Sequence, residues 1–562
     1  MIHKKQFGKE RRPTGLLSLD FIFEKAVVLL VVSTILLFIL YPMVMVISRS
    51  VYQYGGFSWD NYRNLLRPEN LLLIRNSLFV TTISSLLRTF FALCIALFAF
   101  FHKKQIGELI YRGLMITMIS PPFISAIALI LLFGRRGLIT HDLLGLSVNP
   151  YGWQGIVLLQ VLGEISLAAI MLISALNSLD SRLILASRDL GATPIQTLFA
   201  VVMPSLRPAI LSVLFLQFTI NMADFGTPII IGGKFKVLAT EAYMTVFSSA
   251  DIGKAATLSV LLIPPAIAAF YFYRKNIGRV NTLSDRSILL QGAELDFRLP
   301  PPVWYFFGSV TALFFFFMLL KYMNIFLAAI TIRESGNLVF TLKHLSMFQA
   351  RSLTALYKTL FMAVTAGILS SILGVLLSYY THRMRLPFLK PVEFIASLPY
   401  IIPGIFYGLG YIIAFHQGPL VLTGTMAILV LNCTFRYLSV GNKAANAAFE
   451  NLDQKLEAAA RDLGASRMRT LTTVVLPNLK STFLVSFINA FTSSMTTVGP
   501  IIFLVTPGNV VASVLMFGDI SNGRYGVGAV TGSLLILITI TVNLAAINLL
   551  NRERGGIRAA TD

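Results

Sequence analysis

The phrase "ASRDLGATP" at residues 186–194 returns as "AARDLGASR" at residues 459–467, a spacing of 273 residues. Aligned outward, residues 178–204 and 451–477 are identical at 14 of 27 positions without a gap. Gly191 matches Gly464 and Pro204 matches Pro477, and beyond them Phe218 matches Phe491 and Gly226 matches Gly499. Basic loops at His102 ("HKK") and His382 ("HRMR") match at an offset of 280, so a small length change lies between. One plan is written twice in a single chain.

The medium of that plan is a bilayer. Of 562 residues 56% are hydrophobic and only 13% charged, and the mean hydropathy is +0.76, far too apolar for a water-soluble surface. A hydrocarbon core of about 30 Å takes about 20 apolar residues as helix, because unpaired backbone groups cannot be left in lipid. Six such runs occupy residues 26–47, 78–101, 113–133, 153–176, 209–231 and 256–272. Six more occupy 303–320, 360–380, 392–415, 420–438, 483–505 and 527–549.

The expected fold is therefore an all-α polytopic membrane protein of about 12 transmembrane helices. An even number of spans per half returns the chain to the same side, which makes the halves parallel repeats. The domains read as a cytoplasmic N-terminal segment (1–25), a first half (26–273), a cytoplasmic linker (274–302), a second half (303–550) and a cytoplasmic tail (551–562).

The net charge of +21 does not point to nucleic acid. With a cytoplasmic N-terminus, 29 of the 46 Lys and Arg fall on the inner side, 15 on the outer side and 2, Arg88 and Arg436, inside spans. That is a positive-inside distribution, and no basic soluble domain remains to bind DNA or RNA. Cys94 and Cys433 lie in predicted spans as core residues, not as a disulfide framework. The first apolar run lacks a small-residue cleavage site, so it is read as an uncleaved helix.

Within each repeated phrase, Leu179, Leu183, Ala186 and Leu190, and then Leu452, Leu456, Ala459 and Leu463, share one helical face. Asp180 and Asp453 are placed to cap the helix starts, and Gly191 and Gly464 to end the helices in the left-handed conformation. Both phrases fall on the cytoplasmic side. Two pseudo-symmetric knobs there suit a two-fold symmetric soluble partner, and the alternative is a pair of helices lying on lipid headgroups.

The duplicated phrase resembles the signature loop of bacterial binding-protein-dependent ABC importer permeases: Glu-Ala-Ala, three residues, Gly, nine residues, Ile-x-Leu-Pro. Ala186, Arg188, Asp189, Leu190, Gly191, Ala192, Val201 and Pro204 carry it in the first copy, and Ala459, Ala460, Arg461, Asp462, Leu463, Gly464, Ala465, Val474, Leu476 and Pro477 in the second. The family's Glu position holds Leu185 and Ala458, with Glu457 one residue early. The resemblance implies the type I importer fold with two fused halves, and a coupling helix in each loop that sits in a groove of an ATPase subunit.

It further implies a homodimer of ATPase subunits carrying ATP and Mg on the cytoplasmic side, an extracytoplasmic solute-binding protein, and one copy of this chain per transporter. The setting is a bacterial inner membrane, with both termini cytoplasmic. No GxxxxGK[ST] motif occurs in the chain, so ATP hydrolysis belongs to partners and no cofactor is expected on this subunit.

Polar residues within spans mark a candidate path. Gln217, Asn221 and Asp224 lie in the first half, and the offset pairs Asn221 with Ser494 and Asp224 with Thr497. Glu164 and Arg436 lie in corresponding fourth spans. Glu164 and Asp224 would suit a cation and Arg436 an anion, or Glu164 and Arg436 pair with each other. The "ADFGTP" stretch with "VLATEAY" after it resembles fused permeases for ferric iron, with relatives for aminophosphonates, thiamine or other small charged solutes. The six His are scattered and no metal-ligand spacing is present. An ion-gradient-driven secondary transporter, also commonly twelve spans in two halves, is the alternative from another class.

Overall fold

A computed structural model describes residues 19–53, 56–65, 67–118, 124–134, 137–146, 149–284, 299–334 and 337–559. Eight helices among them are long and apolar enough to cross a membrane, and three bent helix pairs raise the number to eleven.

The first half opens with the span Glu24–Val51, followed by a hairpin of β1 (Tyr52–Gln53) and β2 (Gly56–Phe57). Next come α1 (Pro68–Phe101), the helices Lys104–Thr117 and Ile124–Phe133, and the bent pair α2 (Trp153–Gly163) and α3 (Ile165–Asn177). The short α4 (Ser181–Asp189) precedes α5 (Met203–Ala223), and α6 (Ile263–Ser284) closes the half.

The second half repeats the order. After Pro301–Ile330 comes a hairpin of β3 (Thr331–Glu334) and β4 (Asn337–Phe340), then α7 (Leu353–Ser378) and the pair α8 (Lys390–Ile401) and α9 (Gly404–Phe415). The long α10 (Met426–Asn451), the short α11 (Gln454–Asp462), α12 (Lys480–Thr496) and α13 (Tyr525–Ala559) complete it.

Eleven of the twelve expected spans thus have counterparts, with corrected ends. The twelfth is α10, whose 26 residues reach about 39 Å. Arg436 and Lys443 lower its hydropathy, and it starts at Met426, not at 420. The run 113–133 is not one helix: Lys104–Thr117 and Ile124–Phe133 are separate, with 119–123 outside the described residues. The run 209–231 ends early at Ala223, because Asp224 is extended and a new helix starts at Gly226.

Residues 1–18 of the N-terminal segment, 285–298 of the linker and 560–562 of the tail lie outside the described residues. The linker's start, through Ser284, continues α6, and the tail through Ala559 continues α13.

Proline explains a recurrent local feature. A π-helical turn precedes Pro42 (Leu36–Leu40), Pro204 (Leu198–Val202) and Pro477 (Leu471–Val475). A proline lacks the N–H and its ring crowds the carbonyl four residues back, and a widened turn relieves that crowding. Before Pro42 the consequence is long-range: the Phe38 carbonyl accepts the hydroxyls of Tyr407 (2.9 Å) and Tyr411 (2.8 Å) from α9. A Cβ on Gly410 would stand 2.7 Å from the Pro42 carbonyl oxygen, so glycine is what permits this approach.

The first helix of one half is thereby locked against the other half. Pro301–Ile330 reciprocates: the Tyr322 hydroxyl reaches the Thr117 carbonyl at 3.4 Å, and Gly113 lies under the Phe315 ring. The halves are interlocked, not merely tethered.

Candidate coupling and translocation sites

Both repeated phrases fold alike. Asp180 accepts from the Arg182 N–H at 3.0 Å and Asp453 from the Lys455 N–H at 2.9 Å, so each carboxylate caps its helix. At the far ends the Ala192 N–H reaches the Ser187 carbonyl (3.1 Å) and Gly191 the Arg188 carbonyl (2.8 Å). Ala465 to Ala460 (3.0 Å) and Gly464 to Arg461 (2.9 Å) repeat the pattern. These are Schellman closures, which require a left-handed residue; Gly191 has φ 82° and Gly464 φ 83°.

The apolar stripe of each phrase faces outward except for its first residue: Leu179 and Leu452 precede the capping aspartates, off the helix, and pack half-buried against the core. Leu183, Ala186 and Leu190, and Leu456, Ala459 and Leu463, are all exposed, with Leu190 88% and Leu463 89% accessible. Among the described residues, what each helix buries is one residue on the other side: Ile184 in the first copy, and at the matching position Glu457 in the second. Glu457, grouped above with the coupling residues, therefore turns inward. Its Oε1 accepts from Arg383 Nε at 2.6 Å, and Arg383 also donates to the Leu452 carbonyl at 3.1 Å, tying α11 to the end of the span Leu353–Arg383. Arg461 adds a longer ion pair to Glu457 at 3.6 Å.

The path residues divide between two environments. Glu164, at the 45° break between α2 and α3, lies 3.5 Å from Arg88 of α1. Arg88 is buried and also donates to the Gln217 side chain and the Gln160 carbonyl. Gln160 in turn donates to Asp224 at 3.2 Å, and Asn221 to Ser85 at 3.0 Å. Asn221, Asp224, Gln160, Ser77 and Thr81 line one small polar cleft.

Arg436 is elsewhere: it donates to the carbonyls of Pro399 (3.0 Å) and Ile402 (3.3 Å), satisfying the end of α8 where the chain turns 115° into α9. A Glu164–Arg436 pair is ruled out by these partners. Ser494 and Thr497 are buried, and the Thr497 carbonyl accepts from Ser513 at 2.7 Å. At the repeat positions of Gln217 and Asp224 stand Ala490 and Thr497, so the charged cluster belongs to the first half alone.

Between the halves runs an aromatic seam. Phe225, Tyr243 and Phe247 from the first half meet Phe503 and Phe517 from the second, with ring centroids 5.8 to 6.1 Å apart across the boundary.

Residues 89–281 and 370–554 each match the family described as "Binding-protein-dependent transport system inner membrane component". The chain belongs to this family. It is 29% identical over 528 residues to the ferric transport system permease protein FbpB of Actinobacillus pleuropneumoniae, covering 92% of this chain and 76% of that one. It is 30% identical over 498 residues to the putative ferric transport system permease protein FbpB 1 of Haemophilus influenzae (86% and 78%). The spermidine/putrescine transport system permease protein PotC of Haemophilus influenzae is 24% identical over 215 residues, 37% of this chain and 78% of that one.

In this fused two-half permease, sequence reasoning named Glu164, Asn221 and Asp224 but left Arg88 unassigned. An arginine inside an apolar run was the available signal, since such a charge is costly in lipid unless paired. The seam gave no signal, because aromatic residues fill the whole chain. Arg88→Met should leave Glu164 and Gln217 without their buried cation. The expected result is solute uptake reduced at least about ten-fold with the permease still inserted, since losing the buried Arg88 leaves the Gln217 side chain and the Gln160 carbonyl unsatisfied, at about 1–3 kcal/mol each. Uptake in proteoliposomes, read against the amount of reconstituted protein, checks this.

Proposed function

We propose that this permease gives ferric iron, delivered by an extracytoplasmic solute-binding protein, alternating access across a bacterial inner membrane. The work is done by a homodimer of ABC ATPase subunits that carries the ATP and Mg. Each ATPase subunit grips one coupling loop, with one copy of the fused chain per transporter and both termini cytoplasmic. The observation that carries the reading is the pair of Schellman-closed loops with the same outward apolar stripe, ending in Leu190 and Leu463. Exposed leucines at matched positions are what a symmetric, grooved partner would cover, at about 1.5–3 kcal/mol per fully buried side chain.

Closure of the ATPase dimer would draw the two loops together, and the interlocked first helices would pass that motion to both halves. The seam of Phe225, Tyr243, Phe247, Phe503 and Phe517 would then part. Iron as the solute is supported by the names of the full-length relatives and by the carboxylates Glu164 and Asp224 beside one arginine. A polyamine is the second reading, favoured by the half-length relative and suited to the same carboxylates.

The test has two parts. Cysteines at Leu190 and Leu463 should crosslink to an ATPase subunit in membranes, and their labelling from outside intact cells would overturn the orientation. Proteoliposomes holding the permease, its ATPase and its binding protein should take up labelled ferric iron only with ATP. Uptake driven by an ion gradient without ATP would establish a secondary transporter, and uptake of spermidine but not iron would replace the substrate.

A further inference from the structure

The two repeats differ where each leaves its coupling loop. In the first, α5 runs unbroken from Met203 to Ala223. In the second, the helix stops at Asn478, Leu479 takes φ −100° and ψ 10°, and α12 starts at Lys480 after a bend of 63°. The packing beside it differs as well. In the first half Phe215 of α5 stacks on Phe272 of α6 at 5.1 Å, and the matching residues of the second half are Ile488 and Ala545. Beside the bend a groove of about 530 Å³ lies between α7, α12 and α13.

Its walls are Ile372, Val375, Leu376, Leu479, Phe483 and Leu549, among other apolar residues, and Lys480 is the one charged residue lining it among the described residues. By the proposed orientation these are the cytoplasmic ends of their spans, so the groove opens at the depth of the inner leaflet's acyl chains with an exposed ammonium beside it. We propose that this groove binds an anionic phospholipid of the inner leaflet, one acyl chain lying against α7 and α12 and the phosphate on Lys480.

The charge complementarity is what selects the occupant: a lysine near the surface attracts acidic headgroups, and its aliphatic stem lies along apolar surface while its tip stays at the interface. A bound chain would brace Leu476 and Leu479, which flank Pro477 and Asn478, and so stiffen the bend through which the second coupling loop meets the membrane.

The repeat supplies its own control. Arg207 occupies the position of Lys480, also exposed, on a helix that has no break. The delipidated permease–ATPase complex is titrated with phosphatidylglycerol or phosphatidylcholine, and retained lipid is counted by native mass spectrometry. Phosphatidylglycerol should be retained by the wild type and by Arg207→Gln. Its affinity should fall about five-fold in Lys480→Gln, the worth of one interfacial lysine, and as much in Leu376→Trp, which fills the groove. Equal retention by Lys480→Gln and wild type overturns the proposal, as does equal binding of phosphatidylcholine. Undiminished retention in Leu376→Trp overturns it too, by separating headgroup attraction from the groove. The readout is lipid, so it stands apart from whether iron is the solute.

Discussion

A permease carrying Gly191→Val and Gly464→Val together should reach the membrane and bind substrate-loaded binding protein, yet lose solute-stimulated ATP hydrolysis. Neither glycine has a neighbour within 4 Å of where a Cβ would stand, so the substitution creates no clash with other parts of the chain. The whole effect is conformational. At φ 82° and 83° a β-branched residue is held where L-residues rarely go, at a cost of about 1–3 kcal/mol per site.

The cheapest escape is to unwind the Schellman closure, which frees the hydrogen bonds from Ala192 and Ala465 and displaces Leu190 and Leu463. Asparagine tolerates the left-handed region far better, so the double Asn variant should keep most of the stimulation. ATPase assays with and without loaded binding protein, on complexes of equal permease content, separate these outcomes. Undiminished stimulation in the double Val variant would remove the coupling role from these loops.

How much of this was legible depended on what each residue type can say alone. Asp180, Asp453, Gly191 and Gly464 each have one conformational habit, so their spacing in the sequence already stated the caps and the left-handed turns that the structure contains. The twelve runs were legible as apolar length, but not their ends or breaks: the helix read at 420–438 starts at Met426, 113–133 falls in two helices, and 209–231 stops at Ala223. Partners across the fold were not legible. Glu164 and Arg436 occupy corresponding spans and have opposite charge, but Glu164 finds Arg88, 76 positions earlier in the chain, because α2 breaks beside α1. The hairpins β1–β2 and β3–β4 were missed because each strand is four residues or fewer, too short for an alternating pattern to show.

The Arg383–Glu457 pair offers the larger stability effect, and the two repeats together say how to read it. Arg383→Ala should lower the thermal stability of the second half by about 3–5 kcal/mol, because it strips a buried carboxylate of its close partner and leaves only Arg461 at 3.6 Å. It also frees the Leu452 carbonyl, at the junction of α10 and α11, so the coupling helix itself should loosen.

The first repeat solves the same packing problem with Ile184, buried to 2% exposure at the position of Glu457. The paired change Arg383→Met with Glu457→Ile should therefore recover most of the lost stability, since apolar replacement of a buried ion pair is often neutral or better. If the pair only holds the fold, that double variant will also recover coupling. If the ion pair orients α11 for the ATPase, stability will return while the ratio of stimulated to basal ATP hydrolysis stays low. The second outcome is the expected one, because Arg383 joins the end of one span, the end of α10 and the coupling helix through directed bonds. A hydrophobic contact would fill the space without fixing the angle between them.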